Sequence, residues 1–155
     1  MILRVVEIFA SVQGESSRAG QSCAFVRLAG CDIGCTYCDT PQARDLQAGR
    51  DMTVETVLAE LSRFQLPLVE ITGGEPLMQR EGVETLAAAL LATGHTVMLE
   101  TSGCLPMAGL NPRLEVVMDV KTPGSGAAER FCSANLDALD ANDEVKFVLT
   151  GLDDY

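Results

Sequence analysis

The sequence predicts an α/β fold, an incomplete (β/α) barrel built around a parallel sheet, and three observations point there. Short β-prone runs alternate with segments of helical period, and the crossovers have the length of parallel βα units. Four successive runs end in polar or glycine-rich clusters: 31–40, 72–76, 100–103 and 119–124. In a barrel-like parallel sheet such ends share one face, so the four clusters should converge on one cavity. At 155 residues, with no internal repeat, low-complexity tract or linker, the chain is expected to form one domain over 1–155.

Val5 to Phe9 is a short β-prone run, and Ala10 to Ser17 is a polar turn with no helical period. Ala24 to Gly30 reads as a buried strand carrying one charge, Arg27, and it delivers the chain directly into Cys31. Asp39-Thr40-Pro41 then opens an irregular stretch through Arg50. A helix follows with Thr53 as N-cap; Val54, Val57, Leu58 and Leu61 share a face, and the helix ends before Pro67. Leu68 to Thr72 is a strand running into Gly73-Gly74-Glu75-Pro76. The next helix carries Val83, Leu86, Ala87, Leu90 and Leu91 at helical spacing and stops at Gly94. Thr96 to Leu99 and Leu114 to Met118 are strands, a short helix is expected within 127–143, and Glu144 to Leu149 is the last clear strand.

Acidic residues outnumber basic ones, 22 to 11, for a formal charge of −11. Nucleic acids and anionic membranes are bound mainly through Lys and Arg, so this balance argues against both as partners. No apolar run approaches the length of a membrane span, and Met1-Ile2-Leu3-Arg4 does not open a signal peptide. Six cysteines, three of them clustered, fit a reducing compartment better than a disulfide framework. A cytoplasmic location is expected.

The chemistry begins at Cys31, Cys35 and Cys38, a C-x3-C-x2-C spacing in a short loop after an apolar run. Three thiolates this close suit three corners of a 4Fe-4S cube, leaving one iron for a small molecule. Tetrahedral zinc is the alternative, and it would need Cys23, Cys104, Cys132 or His95 as fourth ligand. In Gly73-Gly74-Glu75-Pro76, two residues without side chains let backbone carbonyls approach a ligand amine, although an ordinary turn also explains them. Arg27 is either an ordinary paired or surface cation or a bidentate clamp for a carboxylate.

The three-cysteine loop followed by Gly-Gly-Glu-Pro resembles the radical S-adenosylmethionine (SAM) enzymes. Within them, three flanking segments resemble the 7-carboxy-7-deazaguanine synthases: Glu7-Ile8-Phe9 with Ser11-Val12-Gln13-Gly14-Glu15, Phe25 to Cys31, and Tyr37 to Thr40. The resemblance implies a radical SAM barrel and a 4Fe-4S cluster whose open corner is chelated by SAM. It also implies Mg2+-dependent ring contraction of 6-carboxy-5,6,7,8-tetrahydropterin to 7-carboxy-7-deazaguanine, with loss of ammonia, in queuosine and 7-deazapurine biosynthesis. Carried over residue by residue, Cys31, Cys35 and Cys38 would ligate the cluster. Tyr37, Cys38, Asp39, Gly74 and Ser102 would contact SAM, as would Asp119, Val120 and Lys121, where relatives often read Ser-Pro-Lys. Val12, Gln13, Gly14, Arg27 and Thr72 would hold the pterin. Thr40 would bind Mg2+, with helix capping as its alternative role. No side chain beyond cluster and SAM is required to initiate the radical. A flavodoxin- or ferredoxin-type electron donor and a homodimer are further implications.

Family members usually continue past the strand matching Glu144 to Leu149, so a shortened C-terminal part is expected, with the last βα unit supplied by dimerisation or absent. Two other readings share features of the loop. A radical SAM activase that makes a glycyl radical on a protein partner would have no need of Arg27, Gln13 or Mg2+. A non-catalytic iron-sulfur or zinc module would supply a fourth protein ligand and bind no SAM.

Overall fold

The computed structural model describes all 155 residues. Its seven strands are β1 (Ile2–Val12), β2 (Ser22–Leu28), β3 (Arg50–Thr53), β4 (Leu68–Gly73), β5 (Thr96–Thr101), β6 (Glu115–Val120) and β7 (Glu144–Phe147). Two α-helices cross between them, α1 (Val54–Ser62) and α2 (Arg80–Ala92). The strands form one sheet in the order β3-β1-β2-β4-β5-β6-β7. From β2 to β7 every neighbouring pair is parallel, whereas β1 pairs antiparallel with both β2 and β3. The sheet has two edges, β3 and β7, and is therefore the expected open barrel.

Period-2 alternation separates the two faces of the sheet. Ala24, Val26 and Leu28 of β2 join Val69 and Ile71 of β4 and Val97 and Leu99 of β5 in a core against the helices. Cys23, Phe25, Leu68, Met98 and Val117 form a smaller cluster on the other face, with Phe9 stacked on Phe25 at 5.0 Å between ring centroids. The predicted helical faces bury Val54, Val57 and Leu61 on α1, with Leu58 only partly buried, and Val83, Leu86, Ala87, Leu90 and Leu91 on α2. Thr53 caps α1, its hydroxyl accepting from Thr56 N at 3.2 Å.

The structure departs from the sequence reading at residues 50–53. Arg50–Thr53 is a strand, because its backbone pairs with β1; only Met52 is buried there, so the segment shows no apolar alternation. No helix crosses between β5 and β6. Between β6 and β7 the short helix expected within 127–143 takes 3-10 form, at Ala128–Arg130 and Ser133–Ala138. Side-chain bonding to backbone organises that last region: Asn135, nearly fully buried, donates to Gly103 O and Leu105 O and accepts from Met107 N.

Candidate active site

All four polar strand exits open into one cavity of about 500 Å³ on the sheet face away from the helices. One wall is the cysteine loop, with Cys31, Cys35, Cys38, Tyr37, Asp39 and Thr40. Val12, Gln13 and Gly14 from the β1–β2 hairpin and Arg27 from β2 line it as well. Thr72 and Gly74 arrive from the β4 exit, Ser102 from β5, and Asp119 and Lys121 from β6. Val120 is the exception among the expected residues. It lies between Asp119 and Lys121, so strand parity turns its side chain to the other face, where it packs against the helix-side core.

Backbone contacts explain how the cysteine loop is placed. Gly30 N donates to Ala43 O and Cys31 N to Arg44 O, closing the loop's base at 2.8 and 3.0 Å. The β6 exit holds its far side: Thr36 N donates to Ser125 O and Thr36 Oγ1 to Gly124 O, both at 2.9 Å. Arg130 adds bonds to the carbonyl and carboxylate of Asp32. Gly74 lies so close to this base that a Cβ would sit 2.3 Å from Gly30 O and 2.8 Å from Ala43 O. The second glycine of Gly73-Gly74 is therefore needed for close backbone packing beneath the first cysteine, a role distinct from any ligand contact.

Glu75, treated as part of a turn at the sequence level, is almost fully buried and its carboxylate is fully engaged. It accepts from Leu77 N (3.0 Å), Thr101 Oγ1 (2.8 Å), Ser102 N (2.8 Å) and Ser102 Oγ (2.6 Å). This ties the β4 exit to the β5 exit and fixes Ser102 on the cavity wall.

A charged network fills the side facing the cysteines. Lys146 of β7 reaches Glu100 Oε1 (2.5 Å), Glu15 Oε2 (2.7 Å) and Asp119 Oδ2 (3.3 Å). Thr72 Oγ1 donates to Glu100 Oε2 at 2.9 Å, and Lys121 pairs with Asp119 at 2.9 Å while lying over the Tyr37 ring. Burial alone would lower the pKa of Lys146, but the three carboxylates outweigh it and hold the ammonium above its ordinary range. Glu70 is pushed the other way, up to about 7, first by burial and then by the charge of Glu100. Arg27 donates through Nε to Glu7 Oε1 at 2.8 Å and lies over the Phe9 ring. Glu70 and Lys146 escaped the sequence reading, while Glu15 and Glu100 entered it only as parts of a flanking segment and of the 100–103 cluster. Glu70 carried a usable signal, since it shares strand parity with Thr72 inside an otherwise apolar run. Lys146 carried a weaker one, a lone cation in the last strand.

The cysteine wall suits a cluster. All six cysteines are free thiols. Burial raises the pKa of Cys31 and of Cys35, and neighbouring thiols add to both shifts, so the side chains sit within electrostatic reach of one another. Three such thiols would hold three separate corners of a cube and leave the fourth to a ligand. Of the further ligands that zinc would need, Cys23 is buried in the sheet with its pKa pushed up to about 12, and His95 sits at the opposite end of β5 against Thr93 and Leu90. Neither lines the cavity, and neither do Cys104 and Cys132. Asp119 Oδ1 and the Tyr37 hydroxyl are buried without a protein partner, which fits a ligand carrying its own hydrogen-bonding groups.

The sequence profile described as the Radical SAM superfamily matches residues 26–145. An open α/β sheet with three cysteines on the wall of its strand-end cavity thus defines a radical SAM protein, the class that uses a 4Fe-4S cluster and SAM. The chain is 46% identical to the 7-carboxy-7-deazaguanine synthase of Chlorobaculum tepidum over 99% of its own length and 70% of that relative. It is 41% identical to that of Koribacter versatilis over 99% of its length and 67% of that relative. For the Methanospirillum hungatei enzyme the figures are 44%, 98% and 63%. The chain belongs to the 7-carboxy-7-deazaguanine synthase family. Its fold matches the crystal structure of QueE from Escherichia coli with a TM-score of 0.82 and 24% identity, covering 99% of this chain and 74% of that one. No helix is long and apolar enough to cross a membrane.

Proposed function

We propose that the chain, as one radical SAM core domain, converts 6-carboxy-5,6,7,8-tetrahydropterin to 7-carboxy-7-deazaguanine with loss of ammonia, in queuosine or 7-deazapurine biosynthesis. The observation that carries this reading is the single cavity in which a three-thiol wall faces Arg27, Gln13 and Thr72. A glycyl-radical activase needs a protein-docking face in place of this small polar pocket.

Cys31, Cys35 and Cys38 would hold the cluster, which with SAM would supply radical chemistry to the substrate. The protein's part is binding, orientation and shielding. Tyr37, Asp39, Ser102, Asp119 and Lys121 offer SAM a mixed set of donors and acceptors, and the close packing at Gly74 places the β4 exit against the cluster loop. Arg27 is bonded only through Nε, leaving its terminal nitrogens for the pterin carboxylate, and the stacked Phe9–Phe25 pair borders the same wall. Thr72 and the hairpin residues Val12, Gln13 and Gly14 bound the ring. Thr40 Oγ1, bonded to Asp39 Oδ1 at 3.2 Å, would offer Mg2+ a hard oxygen, the other ligands coming from water and substrate. A flavodoxin- or ferredoxin-type donor supplies electrons, and the enzyme works as a cytoplasmic homodimer.

The decisive experiment is anaerobic reconstitution followed by turnover with reductant, SAM, Mg2+ and deuterium-labelled carboxytetrahydropterin. Label should appear in 5'-deoxyadenosine, and 7-carboxy-7-deazaguanine should accumulate. Absence of both would overturn the proposal.

A further inference from the structure

Gln13 lines the cavity, almost fully buried, and three contacts orient its amide. Its Oε1 accepts from Glu15 N at 3.1 Å. Its Nε2 donates to Glu70 Oε2 and lies 3.6 Å from Met98 Sδ. A backbone N–H needs an oxygen and a carboxylate needs an N–H, so both ends of the amide demand the same orientation. With both Nε2 hydrogens engaged, the group left for a ligand is the second lone pair of Oε1.

We infer that Glu70 is a positioning residue that locks the Gln13 amide, so that this point of the cavity accepts a hydrogen bond from an N–H or amino group of the substrate. The inference rests on the pterin reading of the cavity. Glu70 reaches Gln13 from β4, on the strand face that also presents Thr72. The charged and titratable groups around it are Glu100 of β5, Glu15 of the hairpin, Lys146 of β7 and Cys23 of β2. Burial and the Glu100 charge bring its proton into the neutral range, at about 7. Proton uptake replaces a charge-assisted bond by a weaker neutral one and loosens the lock.

The test uses the reconstituted holoenzyme, the Glu70→Gln and Gln13→Ala variants, and the double variant. For the unsubstituted protein, KM for carboxytetrahydropterin should rise about 10-fold as pH falls through 7, with kcat nearly constant. In Glu70→Gln, whose amide can present either oxygen or nitrogen to Gln13, KM should be raised throughout and this acid limb lost. Adding Glu70→Gln to Gln13→Ala should cost nothing further, because the lock acts only through Gln13. A readout independent of turnover is the Gln13 side-chain amide resonance, identified by its loss in Gln13→Ala. It should titrate near pH 7, and the titration should vanish in Glu70→Gln. An amide that does not titrate, or a Glu70→Gln penalty undiminished in the Gln13→Ala background, overturns the inference. Titration without any pterin turnover supports the lock while overturning the reaction assigned to the cavity.

Discussion

The hydroxyl of Ser102 lies 2.6 Å from the carboxylate of Glu75, and the backbone N–H of Ser102 lies 2.8 Å from that same oxygen. One buried side chain thus joins the ends of β4 and β5 at the point where both enter the cavity.

Replacing Glu75 by Ala should unfold the chain far more readily than its position in a turn suggests. Four donors lose their acceptor at once in a site that water does not reach, a penalty on the order of 3–5 kcal/mol. Glu75→Gln restores the volume but can accept at one oxygen only, and should recover part of the loss. Urea denaturation midpoints for the two variants check this; equal midpoints for Glu75→Ala and the unsubstituted protein would refute it.

Gly74→Ala should be poorly tolerated and should reduce cluster loading. The added methyl meets backbone oxygens on Gly30 and Ala43, which move only if the base of the cysteine loop moves. We expect a cost of about 2 kcal/mol or more and sub-stoichiometric iron after anaerobic reconstitution. Gly14→Ala, which meets no atom within 4 Å, is the control and should load normally.

Arg130 should govern how long the cluster persists. It bonds to Asp32 from the β6 exit, within the segment that carries the first cysteine. Both partners are partly exposed, so the effect is modest: Arg130→Ala should lose iron to a chelator about two- to fivefold faster with little change in folding stability. An unchanged rate of loss would remove Arg130 from the account of the loop.

Stability should fall as pH rises from about 4.5 to about 7 through Glu70. Its folded pKa, about 7, lies above the ordinary 4.5. The folded state therefore binds more protons in that window, and the contribution present below it is lost on passing through the folded value. The change is on the order of 3 kcal/mol for this one group. Glu70→Gln should flatten that segment of the pH profile, as measured by thermal or denaturant unfolding between pH 5 and 8.

Much of the cavity was legible because strand exits announce themselves. A cysteine spacing, a Gly-Gly pair and polar tetrapeptides after apolar runs are local signals, and the parallel sheet gathers them. What escaped depends on partners distant in sequence. Glu15 and Lys146 are 131 residues apart and meet because hairpin and β7 border one opening. Arg50–Thr53 becomes a strand through pairing with β1, against its own weak pattern. The helix expected in 127–143 takes 3-10 form, and the anchoring of that segment by the Asn135 side chain to backbone groups of residues 103–107 depends on partners about 30 residues away. Val120 was misplaced by treating three consecutive residues as one site, when strand parity allows only the outer two to face it.

The docking of Thr36 onto Gly124 and Ser125 also orders events in time. The three cysteines leave the ribosome early, but the surface that shapes their loop is made about 90 residues later, and that surface is itself tied to Asp154 through Gly124 N. Until then the thiols belong to an unshaped segment, competent to bind stray metal or to oxidise but not to receive a cube in register. Metallation is thereby deferred until β6 and its exit have been made, and cells starved of iron should accumulate a folded sheet whose cysteine loop alone awaits maturation.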